Sequence, residues 1–228
     1  MKLVRYGAKG KELPGIIDND GKLRSLAGLV NEESEQFLSD KSLAELGRMN
    51  LRKLPLVPGK PRFGCPVANV SKFVAIGLNY TDHAKETNSP IPKEPIIFMK
   101  ALNCLQGPND NVMLPRGSVK TDWEVELGIV ISKKTRYVTK GNASDHVAGY
   151  VLVNDVSERE FQAERGPQWD KGKGCDTFGP VGPYLVTRDE VKDPQNLELW
   201  LDVNGKRMQT GNTKTMIFPV KEIISYVS

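Results

Sequence analysis

Glu124 and Glu126 stand two apart in Asp122-Trp123-Glu124-Val125-Glu126-Leu127, and Asp155 closes the run Val153-Asn154-Asp155. Side chains alternate along an extended chain, so the two glutamates share one face. Trp123, Val125, Leu127, Ile129 and Ile131 take the other face, which reads as the buried one. Neighbouring carboxylates repel unless something positive sits between them. Asp155 follows a second β-type run, Tyr150 to Val153; if the two strand ends are neighbours, three carboxylates converge on one point. An all-oxygen set with no His or Cys suits Mg²⁺ or Mn²⁺ better than zinc. A solvated strand face carrying acids has the same spacing, so these residues alone leave both readings open.

His83 and Glu86, three apart, share a face if the segment is helical. A carboxylate beside an imidazole fixes its tautomer and supports its basicity, as a general base requires. A satisfied surface histidine is the plainer alternative. His146, in Ser144-Asp145-His146-Val147, has no comparable context and reads as structural. Arg159 and Gln162 follow Asp155 at helical spacing, and an arginine can hold a carboxylate with two parallel hydrogen bonds. Lys173 lies in Gly172-Lys173-Gly174, outside any Walker frame, and Lys100 ends an apolar strand beside a loop.

The elements that must position these residues are short. Asp18-Asn19-Asp20-Gly21 predicts a hairpin between Leu13–Ile17 and Lys22–Leu26, and Glu32 to Arg48 has helical spacing. Pro55, Pro58, Pro61 and Pro66 mark a linker, dividing a small N-terminal unit (1–66) from a larger domain (67–228). Strands are expected at Phe73–Gly77, Glu94–Lys100, Trp123–Ser132 and Gly149–Asp155, and a hairpin at Asn204-Gly205. Thr81 or Asp82 can cap a short helix carrying His83, and Ser157–Arg165 and Val220–Ser228 read as helical. The last of these has no C-cap behind it and looks cut off within an element. Short strands dominate, so the fold class is a β-rich α+β core rather than a doubly wound sheet.

At 228 residues the chain can bury a sizeable core, and 39% hydrophobic with 26% charged residues is ordinary for a soluble globular protein. A net charge of +4 with scattered basic residues argues against nucleic acid but is compatible with small anionic ligands. No apolar run has membrane-span length, and the start lacks an apolar signal region, so no membrane is expected. Cys65, Cys104 and Cys175 form neither a CxxC nor a disulfide framework, and Cys175 reads as a small buried side chain. Together these predict a cytoplasmic protein.

Taken in order, Ile76-Gly77-Leu78-Asn79-Tyr80-Thr81-Asp82-His83-Ala84-Lys85-Glu86, Phe98-Met99-Lys100, Asp122 to Leu127, Asn154 to Gln162, Trp169 to Lys173 and Asp176 to Pro183 resemble the fumarylacetoacetate hydrolase family from about Lys72 onward. The resemblance implies a mixed β-roll or distorted barrel with a small N-terminal α+β unit, usually as a homodimer. It implies Mg²⁺ or Mn²⁺ on Glu124, Glu126 and Asp155, with His83 and Glu86 as a water-activating dyad often carried on a lid, and Lys173 beside the metal. Asn79, Tyr80, Lys100, Arg159 and Gln162 would surround the substrate, a 2-oxo or 2,4-dioxo acid. The implied activity is C–C hydrolysis of acylpyruvate-type compounds, including 2,4-diketo-3-deoxy sugar acids. Similar sequences carry a ureidoglycolate lyase label, and other relatives are isomerases or oxaloacetate decarboxylases. The chain departs from the family in having Ala101-Leu102-Asn103-Cys104 where Pro and Ser or Thr usually follow the strand lysine. Members also continue past the position of Ser228 with a Gly-Thr-Pro-x-Gly-Val-Gly segment, whose absence should expose apolar strand edges. A non-catalytic form is therefore a second expectation.

Overall fold

The computed structural model describes all 228 residues. β1 (Lys2–Tyr6), β2 (Leu13–Ile17) and β3 (Leu23–Ser25) form an antiparallel meander. Its β2–β3 turn is the one expected: the Asp18 carboxylate accepts the N–H groups of Asp20 and Lys22 at 3.0 and 2.9 Å and pairs with Arg24 at 2.7 Å. Gly21 closes it with a φ of 75°, which favours glycine. α1 (Asp40–Gly47) begins at Ser39, whose hydroxyl accepts the Ser42 N–H. The helix expected from Glu32 is thus shorter. Asn31 and Ser34 side chains accept the N–H groups of Glu33 and Gln36, and such local bonds compete with helix.

β4 (Val74–Gly77) pairs with β5 (Ile96–Met99), and α2 (Thr81–Glu86) lies between them in sequence. Tyr80, not Thr81 or Asp82, occupies the N-cap of α2 and supplies no side-chain cap. β6 (Leu105–Gln106) and β7 (Thr121–Asp122) are short; β8 (Val125–Ile131) and β9 (Val147–Asn154) are the long antiparallel pair. β10 (Ser157–Glu158) pairs with β7. α3 (Asp170–Lys173) and β11 (Gly179–Pro180), which runs parallel to β6, follow. β12 (Leu185–Thr187), the hairpin β13 (Glu198–Val203)–β14 (Lys206–Asn212) and α4 (Val220–Val227) complete the chain.

The helix expected over Ser157–Arg165 is replaced by β10 and one π-helical turn, Glu160–Glu164. The cause is Glu158, whose buried carboxylate accepts hydrogen bonds from Ser118, the Thr121 hydroxyl (3.1 Å) and the N–H groups of Lys120 and Glu160 (3.1 and 3.2 Å). Burial alone would raise its pKa; these donors outweigh burial and hold it lowered.

Six strands form one antiparallel sheet in the order β3-β2-β1-β12-β9-β8. The sheet crosses the boundary drawn at residue 66, since Lys2 pairs with Val186 and Leu3 with Leu185. The main core crosses it too: Leu3, Ile16, Leu26 and Leu46 pack with Ala148, Val151, Val153 and Leu185. The distorted barrel does not close, because β3 and β8 remain edges. On β8 the Gln209 side chain substitutes for a strand partner, accepting from Val125 N at 2.8 Å. The apolar face expected for this strand is buried at Val125 but open at Ile131, which is 41% exposed.

Candidate metal centre and active site

Strand pairing brings the three carboxylates together. Val125 stands opposite Asn154 and Glu126 opposite Val153, and the ladder continues past both strand ends. Asp155 N donates to Glu124 O at 2.8 Å, and Glu124 N donates to the Asn154 side-chain oxygen at 3.2 Å. The neighbouring strand ends expected from the sequence are therefore present.

The carboxylates do not, however, enclose a single shared point. Lys173 Nζ stands between two of them, 2.7 Å from Glu124 Oε2 and 2.9 Å from Asp155 Oδ2. Lys100 Nζ approaches Asp155 Oδ1 at 2.5 Å, and Arg159 reaches Glu124 Oε1 at 2.6 Å. Like charges in one pocket require cations between them, and three side-chain cations supply that here.

Glu126 has no such partner. Burial pushes its pKa up to about 8, and the charges of Glu124 and Asp155 push the same way. Tyr80 is buried against Glu126, yet its hydroxyl closes no hydrogen bond; burial first, then the Glu126 charge, raises its pKa. Asp155 Oδ1 also lacks a hydrogen bond despite its ion pair with Lys100. A desolvated carboxyl without a cation, an orphaned carboxylate oxygen and an all-oxygen donor set fit a hard divalent ion at Glu124, Glu126 and Asp155.

Lys173 is delivered by α3, which packs closely on the π-helical turn. A Cβ on Gly172 would lie 2.4 Å from Glu158 O and 2.5 Å from Gln162 N, so only glycine allows that approach. Trp169, at the start of α3, packs edge-on against Phe98 and fills the space a Cβ on Gly77 would need. Asp170 accepts the Met99 N–H at 3.2 Å.

The remaining expected residues divide. Arg159 holds Asp122 Oδ2 with two nitrogens, at 3.0 and 2.7 Å, and donates to Gln162 Oε1 at 3.1 Å. Asp122 was missed as a site residue, although it opens the same acidic motif and is the only acid there outside the Glu-x-Glu pair. Asn79, expected around the substrate, spends its amide on the main chain of Phe218, donating to its carbonyl at 3.1 Å and accepting its N–H at 2.9 Å. Lys100, expected there too, is 1% exposed and reaches no solvent-filled space. His83 and Glu86 do share a face of α2, with Nδ1 3.7 Å from Oε2, an ion-pair rather than a hydrogen-bond distance. Both are open to solvent and make no hydrogen bond or ion pair with the carboxylates. Cys175 is half-buried rather than buried, and Cys104 is the fully enclosed thiol. His146 Nδ1 meets the Thr135 hydroxyl at 3.0 Å.

The family model described as fumarylacetoacetate (FAA) hydrolase C-terminal matches residues 72–228, and the chain belongs to that family. A Burkholderia lata protein with a provisional hydrolase name is 58% identical over the whole chain, which spans 81% of that relative. Maleylpyruvate hydrolase from Sphingobium sp. SYK-6, in complex with manganese(II) and pyruvate, superposes with a TM-score of 0.81 at 27% identity, covering 100% of this chain and 83% of that one. 2-Hydroxyhepta-2,4-diene-1,7-dioate isomerase from Mycobacterium marinum gives 0.77 at 32% identity, covering 100% and 81%. The family therefore includes hydrolases and isomerases. No helix is long and apolar enough to cross a membrane.

Proposed function

We propose that this chain is a Mg²⁺- or Mn²⁺-dependent hydrolase that cleaves the C–C bond of acylpyruvate-type 2,4-dioxo acids, giving pyruvate or a related 2-oxo acid and a carboxylic acid. The observation that carries this reading is the joining of Glu124 and Asp155 by strand pairing, with Glu126 beside them and Lys173 across. A divalent ion held by these three carboxylates would supply Lewis acidity toward the 1-carboxylate and 2-oxo group.

The chain's own residues supply the rest. Arg159, 31% exposed at its side chain, would exchange an acidic partner for the substrate carboxylate. Gln162 orients that guanidinium. His83, its basicity supported by Glu86, takes a proton from water as the oxygen attacks the 4-carbonyl carbon. The C3–C4 bond then breaks, its electron pair passes into the 2-oxo group as an enolate, and Lys173 Nζ stabilises that charge until the proton that His83 took from water is returned to C3. For this His83 must come over the site, which makes α2 a closing element.

The exposure of His83 and Glu86 favours a second reading, tautomerisation of a 2-oxo acid through the same enolate without water attack. Ureidoglycolate lysis and oxaloacetate decarboxylation use related steps. The deciding experiment incubates the purified chain with acylpyruvates and a 2,4-diketo-3-deoxy sugar acid, with Mn²⁺ or with EDTA. Mn²⁺-dependent loss of enol-diketone absorbance with stoichiometric pyruvate-type product supports hydrolysis. Absorbance change without cleavage products supports the isomerase.

A further inference from the structure

Lys100 directly follows β5, where an apolar strand meets a loop, and the sequence reads it as a ligand contact. Its surroundings say otherwise. It is the largest side chain in the molecule that is almost wholly enclosed, at 1% exposure. Three oxygens surround its nitrogen: Val156 O accepts at 3.2 Å, Lys173 O accepts, and Asp155 Oδ1 stands at 2.5 Å. Two carbonyls accept hydrogen bonds from it and the ion pair with Asp155 Oδ1 fills the remaining side of the ammonium, which leaves no side open to a substrate. Its own main chain is fixed by donation to Phe73 O at 2.9 Å.

These partners are not arbitrary. Asp155 carries one oxygen toward Lys100 and the other toward Lys173. The Lys173 carbonyl, in the last turn of α3, is held by Lys100, while the Lys173 ammonium bridges Asp155 and Glu124. Lys100 thus grips both the end of β9 and the end of α3, and the closed loop Lys100–Asp155–Lys173–Lys100 fixes their separation. Burying a lysine costs several kcal/mol unless it is paired and fully hydrogen-bonded. Here Asp155 supplies the charge pairing, and the carbonyls of Lys173 and Val156 accept the hydrogen bonds.

We propose that Lys100 is a positioning residue that sets the Asp155 carboxylate and the Lys173 main chain for binding of the divalent ion, and that it does not touch substrate. This inference rests on the metal-site reading given above. Partners of this kind, one step behind a metal ligand, change metal affinity about ten- to a hundredfold when removed.

The test is calorimetric titration of Mn²⁺ into the EDTA-treated, dialysed full chain and its Lys100→Met variant, each shown folded by circular dichroism. Oxalate binding at saturating Mn²⁺ is measured on both. The expected result is Mn²⁺ affinity lowered about ten- to a hundredfold in the variant with no oxo acid present, and oxalate affinity changed by less than about threefold. Unchanged Mn²⁺ affinity with weakened oxalate binding would overturn the proposal in favour of a substrate contact. Unchanged values for both, with only a lower melting temperature, would reduce Lys100 to a structural lysine and overturn it as well. Should Lys100→Met not fold, Lys100→Gln keeps donors for the two carbonyls and drops the charge on Asp155, and the same comparison applies. A native chain that binds no Mn²⁺ would sink the metal reading itself, whereas native binding that survives Lys100→Met sinks only this inference.

Discussion

Glu124 and Asp155 are neighbours through their main chains before their side chains meet any cation: the Asp155 N–H donates to the Glu124 carbonyl at 2.8 Å. The separation of the two carboxylates is therefore set by β-sheet hydrogen bonding, and the acids stay together with or without an ion. Such a site is acidic by construction and must be neutralised, which governs several expected outcomes.

Glu126 should make the metal-free protein less stable as pH rises. Its folded pKa, about 8, lies above the ordinary carboxylate value, so the folded state holds a proton that the unfolded chain has lost. Stability is then highest below the unfolded pKa, falls as pH rises, and levels off above about 8. The loss is of the order of a few kcal/mol. Glu126→Gln should flatten this dependence, raise the melting temperature near pH 8 in EDTA and weaken Mn²⁺ binding. An unchanged melting curve against pH would contradict the assignment.

Mn²⁺ must displace that proton, so its affinity in the native chain should rise with pH and level off near 8. Calorimetry in buffers of different ionisation enthalpy should detect proton release below that pH. A pH-independent affinity between 6 and 8, on the order of two units, would exclude Glu126 as a ligand.

Gly172→Ala should damage the site without altering any charged group. The new methyl group would meet backbone atoms of Glu158 and Gln162 at 2.4 and 2.5 Å, so α3 must shift, taking Lys173 with it. Overpacking of this kind costs about 1–3 kcal/mol, or about 2–12 °C in melting temperature for a chain of this size. Turnover should fall more steeply than stability. Native turnover in a folded variant would show that the packing of α3 is dispensable.

Tyr80→Phe removes a buried hydroxyl that has no hydrogen-bond partner. Leaving such a group unpaired costs about 1–3 kcal/mol, so the variant should melt higher in EDTA. Lower kcat in the same variant would place the hydroxyl at the substrate. A lower melting temperature would mean that the hydroxyl is bonded in solution.

His83→Ala alters an exposed residue, so its melting temperature should stay within about 1 °C of native. If His83 is the general base for water, C–C hydrolysis should fall by about 10²- to 10⁴-fold while Mn²⁺ affinity is unchanged. Full hydrolytic turnover in the variant would remove His83 from the mechanism.

The nearness of Glu124 and Asp155 was legible in the sequence because a strand repeats every two residues and two pairing β runs bring Glu-x-Glu beside the Asp; the spacing left a solvated acidic face equally open, and only the family resemblance chose between the two. The strands, the two hairpins and α4 were legible for the same local reasons: alternation, Asp-Gly and Asn-Gly turns, and amphipathic spacing. What was hidden depends on contacts distant in sequence. Asn79 clips Phe218, Arg159 pairs with Asp122, and Lys100 turns inward to oxygens just past β9 and at the end of α3. A lysine at a strand end gives no local sign of whether it faces solvent or core. The break at the π-helical turn was hidden likewise, since it follows from donors that converge on Glu158 from a separate loop.

The sheet order also has a consequence for how the chain is made. β1 leaves the ribosome long before its second neighbour, β12, since Leu3 pairs with Leu185. Until then the β1–β3 meander has its β1 edge unpaired as well as the β3 edge, and Leu3 and Ile16 lack the β9 and β12 residues that bury them. Closing the sheet spans almost the whole sequence, a contact separation that slows folding and leaves the nascent chain open to premature pairing with another copy. During synthesis the N-terminal meander is thus an aggregation-prone segment, and its burial waits on β12 and on β9, the strand that Asp155 directly follows.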